Sequence, residues 1–226
     1  MNPLTPSPDA PGRSVEIDLA AIRHNVATIK QKVAPAELLS VVKADGYGHG
    51  ALPVAVAARQ GGADLIGTAH LAEAIKLRQQ GFDGPLIAWL HTPDAPFEEA
   101  LVRDIRIGCS GWDLFLVIAA AKRANLTATV HLKLDTGLGR NGCSKGDWEK
   151  FFKDAAEAVE LGYINVEGIF SHLAVAEDLE HPATEMQLDA FDAALELAES
   201  YGLKPRYRHI ANTAGALGWP GARHNL

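Results

Sequence analysis

Short apolar runs alternate along this chain with stretches whose apolar residues recur at helical spacing, and this alternation narrows the fold more than any other feature. Strand-like runs are predicted at 38–42, 65–68, 86–90, 105–108, 129–134, 166–170 and 207–210. Helical patterns separate them: Ala51 to Arg59, Leu71 to Gln80 closed by Gly81, Trp112 to Ala124, and Lys145 to Leu161, where Ser144 and Asp147 have capping-box spacing. A further short strand at 16–19 leads into Asp18, a predicted N-cap for a helix that carries Leu19, Ile22, Val26, Ile29 and Val33 along one face. Strands apolar on both faces and joined by helices imply a parallel sheet, and right-handed crossovers wind repeated βα units into a (β/α)8 barrel. Seven strands are counted, so the expectation is an α/β fold of TIM-barrel type with one strand missing, over residues 15–226. An open doubly wound sheet is the alternative. It is set aside because no dinucleotide-binding glycine fingerprint is read after a strand.

The first of these strands carries the chemistry. In Leu38 to Gly50, LLSVVKADGYGHG, the β-branched Val41 and Val42 favour a buried strand, and Lys43 follows them directly into a loop containing Gly46, Gly48 and Gly50. A lysine delivered to the C-terminal mouth of a barrel strand is poorly solvated, which favours its neutral form and suits it to forming an imine with a carbonyl cofactor. Taken alone, a lysine that ends a strand is more often a surface residue. Arg140, His172 and Asn212 also fall at or after the ends of predicted strands, the rim from which barrel enzymes work.

VVKADGYGHG resembles the pyridoxal 5′-phosphate attachment motif of the alanine racemases. LKLDTGLGRNG at 132–142, GIFSHLAVAED at 168–178 and HIANTAGAL at 209–217 are similar to further blocks of that family, in the same order and nearly end to end. The resemblance implies an enzyme that interconverts L- and D-alanine, with Lys43 holding the cofactor as an imine and moving the Cα proton on one face. Tyr47 is then expected to hydrogen-bond the cofactor phosphate. Arg140 is expected to contact the phenolic oxygen and orient the substrate carboxylate, tasks a guanidinium fork suits. Lys133 matches a lysine that many relatives carry as a carbamate opposite that arginine. Without the modification, a nearby acid such as Asp135 has to offset two adjacent cations. His172 and His209 match histidines that bond a ring-facing arginine, although either taken alone is more often a satisfied core residue than a catalyst. Asn212 and Thr213 align with an Asn-Ser pair whose hydroxyl binds phosphate. His49 is read as fixing its turn.

The resemblance also implies an eighth strand beginning Arg-x-Gly and a C-terminal β-rich domain, carrying the ring-facing arginine and a tyrosine that serves as second base across a homodimer interface. Neither is found in these 226 residues. The chain is therefore expected to be a partial enzyme of low or no activity alone, with two unpaired sheet edges. A single-barrel protein that binds pyridoxal phosphate without catalysis is the main alternative. A related D-amino-acid dehydratase or aldolase would need a metal-ligand pair that is not visible.

Composition excludes other classes. Lys and Arg number 21 against 28 Asp and Glu, a net charge of −7 with no basic run, so a nucleic-acid or anionic-membrane partner has no electrostatic footing. A small molecule fits better. The longest apolar run, Leu114 to Ala121, is too short to span a bilayer. Residues 1–14 lack the apolar core of a secretion signal and are expected to be a flexible tail. Two cysteines, Cys109 and Cys143, make neither a disulfide framework nor a ligand cluster, which favours a cytoplasmic setting. No HxH or HExxH occurs, so no metal is expected.

Overall fold

The computed structural model describes residues 14–226, so the predicted tail lies almost wholly outside the described residues. Seven parallel strands form one sheet in sequential order: β1 (Leu39–Val41), β2 (Leu65–His70), β3 (Leu86–Leu90), β4 (Arg106–Cys109), β5 (Ala128–Lys133), β6 (Ile164–Phe170) and β7 (Tyr207–His209). Helices 51–60, 71–79, 97–102, 114–124, 148–160 and 183–200 occupy the connections, helix 19–33 precedes β1 and helix 213–218 follows β7. None of them is long and apolar enough to cross a membrane.

Sequential parallel order with helical crossovers curls the sheet on itself, and the curl brings its two ends into contact. Tyr207 Oη donates to Glu37 Oε2 at 2.8 Å and Arg206 Nη2 donates to Glu37 Oε1 at 2.6 Å, joining the β7 edge to the chain just before β1. Asn225 fills part of the gap between them. Its backbone oxygen accepts from Glu37 N at 3.0 Å, and its side-chain oxygen accepts from Arg208 N at 2.7 Å. The expected bare edges are thus partly bonded, because one asparagine presents backbone and amide groups to both sides.

The core has two parts. Between sheet and helices lies a large cluster that includes Ile66, Ile107, Leu132, Ile169, Phe152 and Phe191, all essentially inaccessible. A smaller cluster of Leu65, Ile87, Tyr207 and Leu226, with Leu39 and Trp89 against it, fills the inside of the curl. Strand glycines make room for the large rings there: a Cβ on Gly67 would lie 2.6 Å from the Trp89 ring, and one on Gly108 would lie 3.0 Å from Phe170.

Some expectations need correcting. Residues 16–18 form no strand; Asp18 instead accepts from Ala20 N and Ala21 N at 2.9 and 3.0 Å, and this cap starts the helix at Leu19. The Ser144–Asp147 pair does not make a reciprocal capping box. The Ser144 hydroxyl donates to the Asp147 carboxylate at 2.6 Å, and a 3-10 turn, Lys145–Asp147, precedes the helix that begins at Trp148.

Candidate active site

Lys43 stands two residues beyond β1, half-buried, at the start of an unusual turn. Ala44, Asp45, Gly46 and Tyr47 all have left-handed backbone, with φ of 53°, 54°, 61° and 54°. Each non-glycine in that region costs about 1–2 kcal/mol, so the surroundings must hold it in place. Several hydrogen bonds do so. Asp45 Oδ1 accepts from Ala51 N at 2.8 Å, Asp45 O accepts from Gly48 N and Gly50 N, and His49 Nδ1 lies 2.9 Å from Gly46 O. Glu73 ties this turn to the neighbouring strand: Oε1 accepts from Ala44 N at 2.6 Å, while Oε2 accepts from Ala69 N and His70 N. The turn leaves Tyr47 71% exposed beside the lysine, its ring centroid 5.8 Å from Lys43 Nζ.

Arg140 is carried on the loop after β5. Asp135 Oδ1 accepts from Gly137 N and Gly139 N at 2.9 and 3.1 Å, which coils the loop, and backbone bonds between Cys143 and both Lys133 and Asp135 close its base. Gly142 is required there, since its φ is 116° and a Cβ would sit 2.5 Å from the Leu134 carbonyl carbon. A buried polar set fastens this loop to the one after β6: Thr136 Oγ1 and Ser171 Oγ are 2.8 Å apart, and Gln187 Nε2 donates to Thr136 Oγ1 and to His172 O. The string Gly137–Leu138–Gly139–Arg140–Asn141–Gly142 does spell G-x-G-x-x-G after a strand. It nevertheless closes a loop and opens no helix, so it lacks the geometry of a dinucleotide site.

Lys133, Lys43, Tyr47, Arg140, His172, His209, Asn212 and Thr213, drawn from separate stretches of sequence, all line one cavity of about 580 Å³ at the C-terminal end of the strands. Trp89 and Phe170 contribute aromatic surface to it. Asn212 also has a structural task, because its Oδ1 accepts from Gly215 N at 2.9 Å and caps helix 213–218.

The cavity is electropositive although the chain as a whole is acidic. Burial, followed by the charges of Arg140, Lys133 and Lys43, pushes His172 down to about 4. Lys133 is brought down to about 8 by burial and then by Arg140, against the pull of Asp113 and Asp135. Asp113, which sequence reasoning missed, is pushed up to about 7 by burial, despite the hydrogen bond from Ser110 N and the nearby Lys133 charge. Asp135 was the acid expected beside Lys133, but its carboxylate is engaged by the loop. Burial likewise holds His209 neutral, well below the ordinary histidine range, with His131, His224 and Lys133 adding to the effect.

A family profile described as "Alanine racemase, N-terminal domain" matches residues 17–226. The chain belongs to that family. An alanine racemase of Thermobifida fusca is 47% identical over 211 residues, which cover 93% of this chain and 56% of that protein. The crystal structure of alanine racemase from a D-cycloserine-producing Streptomyces lavendulae superposes with a TM-score of 0.91 at 44% identity, covering 93% of this chain and 55% of that one. An alanine racemase of Bacillus anthracis, solved with bound L-Ala-P, gives a TM-score of 0.79 at 28% identity, covering 92% of this chain and 54% of that one. The chain therefore spans little more than half the length of the racemases it matches, and the barrel is the part they share.

Proposed function

We propose that this chain is the cofactor-binding barrel of an alanine racemase, with pyridoxal 5′-phosphate held in the 580 Å³ cavity. One observation carries the reading: a half-buried lysine amine opens into a cavity that also holds Arg140 and Lys133, in a chain whose net charge is −7. A carbonyl-bearing, anionic, aromatic ligand matches an amine, a cationic wall and aromatic surface, and the cavity is of a size suited to a cofactor. When bound, pyridoxal phosphate supplies an electron sink for the charge left when a Cα proton departs.

The chain's own residues have distinct tasks in this reading. Lys43 would hold the cofactor covalently, and its amine would move the Cα proton on one face. Tyr47, carried on its left-handed turn, and Thr213, through its hydroxyl, would bind the phosphate; Asn212 sets the backbone from which Thr213 projects. Arg140, on a loop pinned at its base, would supply a guanidinium for the cofactor's phenolic oxygen and the substrate carboxylate. Neutral Lys133 is available because its pKa is about 8, and a neutral amine adds CO2 with loss of a proton to give a carbamate, an anionic partner for Arg140. His172, kept neutral, adds no charge to the cationic wall, and His209, also neutral, is a positioning residue in the same wall.

The opposite face of Cα is assigned, by likeness to the family, to a tyrosine outside these 226 residues, contributed across a homodimer. The wider role follows the same likeness: D-alanine for peptidoglycan, made in the cytoplasm. The test is exchange of the Cα hydrogen of each alanine enantiomer in D2O with the loaded chain. Slow, one-sided exchange from D-alanine, abolished in Lys43→Ala, is expected. Comparable exchange from both enantiomers would refute the one-base reading. Cofactor binding without any exchange would favour a binding protein over an enzyme.

A further inference from the structure

Beneath the cavity, a line of four polar side chains crosses the inside of the curled sheet. Arg106 Nε and Nη2 donate to Glu167 Oε2 and Oε1 at 2.6 and 3.2 Å, a side-on bidentate pair with both carboxylate oxygens engaged. His131 Nε2 lies 3.2 Å from Glu167 Oε2, and His131 Nδ1 lies 2.9 Å from His209 Nε2. His209 is clamped by stacking on Phe170, with ring centroids 4.7 Å apart and planes 8° from parallel. Only His209 belongs to the set predicted from sequence. Arg106, Glu167 and His131 do not line the cavity, and none has a part in the proposed chemistry.

Hydrogen-bond bookkeeping along this line leaves one arrangement. An ionised carboxylate only accepts, so the His131 nitrogen facing it must carry the proton. Glu167 is ionised: burial pushes it up, but the bonds from His131 and Arg106 and the Arg106 charge outweigh that and bring it down to about 2. A neutral imidazole has one proton, so the other nitrogen of His131 is bare and must accept. Burial keeps His131 neutral. His209 Nε2 must then be the donor, and since His209 is also neutral, its remaining nitrogen, Nδ1, is an unprotonated acceptor. Among the described residues, Nδ1 of His209 has no hydrogen-bond partner.

We propose that Glu167, locked by Arg106, is a positioning residue that sets the tautomer of His209 through His131, so that this cavity-lining ring keeps Nδ1 as a hydrogen-bond acceptor. The proton order Glu167 to His131 to His209 is fixed by a group that never touches the ligand. This is the arrangement by which an outer carboxylate orients an inner imidazole, extended here by one further ring. The identity of the ligand rests on the reading given under Proposed function, but the tautomer order does not depend on it.

The direct test is long-range 1H–15N correlation of the histidine rings in the intact chain without cofactor at neutral pH. The expected spectrum shows both His131 and His209 as neutral Nε2–H tautomers, each with a pyridine-type Nδ1. A Nδ1–H tautomer at His209, or an imidazolium at His131, would overturn the proposal. Glu167→Met then removes the only acceptor that forces the order, and His209 should shift to a mixture of tautomers. A folded Glu167→Met chain whose His209 keeps a pure Nε2–H signal would refute the role of Glu167. The wild-type spectrum decides the order even if that variant does not fold. A chain that shows the expected tautomers yet fails to bind pyridoxal phosphate would overturn the function reading alone.

Discussion

Replacing Gly168 by alanine tests the packing inside the curl, and the sign of the effect is informative. Gly168 lies on β6 without a positive φ, so its backbone suits any residue. On backbone grounds alone, the change should stabilise the protein by about 0.4–1 kcal/mol by restricting the unfolded chain. The structure predicts the opposite. A Cβ at 168 would lie 2.5 Å from His131 Nδ1 and 2.7 Å from Cγ of the same ring. That ring cannot simply turn away, because Glu167 and His209 hold it on either side at 3.2 and 2.9 Å. Overpacking of this kind costs about 1–3 kcal/mol. Pushing His131 off His209 leaves a buried donor or acceptor unmatched, at a further cost of about 1–3 kcal/mol. Net of the backbone gain, the loss is on the order of 3 kcal/mol, a large share of the roughly 5–15 kcal/mol that holds a domain together. In urea denaturation, with slopes of about 1–3 kcal/mol per molar, the midpoint should fall by about 1 M or more. Gly81→Ala is the control: its Cβ meets nothing, but its φ is 92°, so only the left-handed cost of about 1–2 kcal/mol applies. A Gly168→Ala midpoint equal to or above wild type would refute the described packing around His131.

Two further outcomes follow from the charged groups near the cavity. The folded pKa of Asp113 is raised to about 7 from 3.8, so between those values the folded state binds more protons than the unfolded one and stability falls as pH rises. Asp113→Asn keeps an acceptor for Ser110 N and removes the titration, so the variant should gain on wild type progressively from pH 4 to 7, reaching about 2–4 kcal/mol; parallel stability profiles would count against this. With 13C-labelled bicarbonate, the cofactor-free chain should show one protected carbamate resonance that disappears in Lys133→Met. No such signal, or one that survives the substitution, would leave Asp113 as the counter-charge.

Much of the fold was legible because each strand is a compact apolar run with helical spacing on either side. Leu86–Leu90 was read to the residue, and β2, β5 and β7 to within two residues at either end. The false strand at 16–19 arose because Val15, Ile17 and Leu19 alternate with polar residues, a pattern that holds as a strand only where a neighbour pairs with it; the Asp18 cap wins instead. The eight residues that motifs mark line one cavity because strand ends gather them on one rim. Asp113, Gln187 and the Arg106–Glu167–His131 line were not legible. Asp113 bonds its own turn at Ser110 N, which marks nothing about the cavity, and the others pair at separations of up to 78 residues, as for His131 and His209, which no local pattern encodes. One signal was available: His131 and Lys133 are two apart on the same strand, so an inward lysine implied an inward histidine.

The central claim is that Lys43, rather than any other amine of the chain, bonds covalently to pyridoxal phosphate. Borohydride reduction of the mixed chain and cofactor, followed by peptide mass mapping, tests it most directly. The account predicts one phosphopyridoxyl addition, on the peptide carrying Lys43, absent from Lys43→Ala even though Lys133 lines the same cavity. An unmodified Lys43, or label spread evenly over exposed amines such as Lys150, would contradict it.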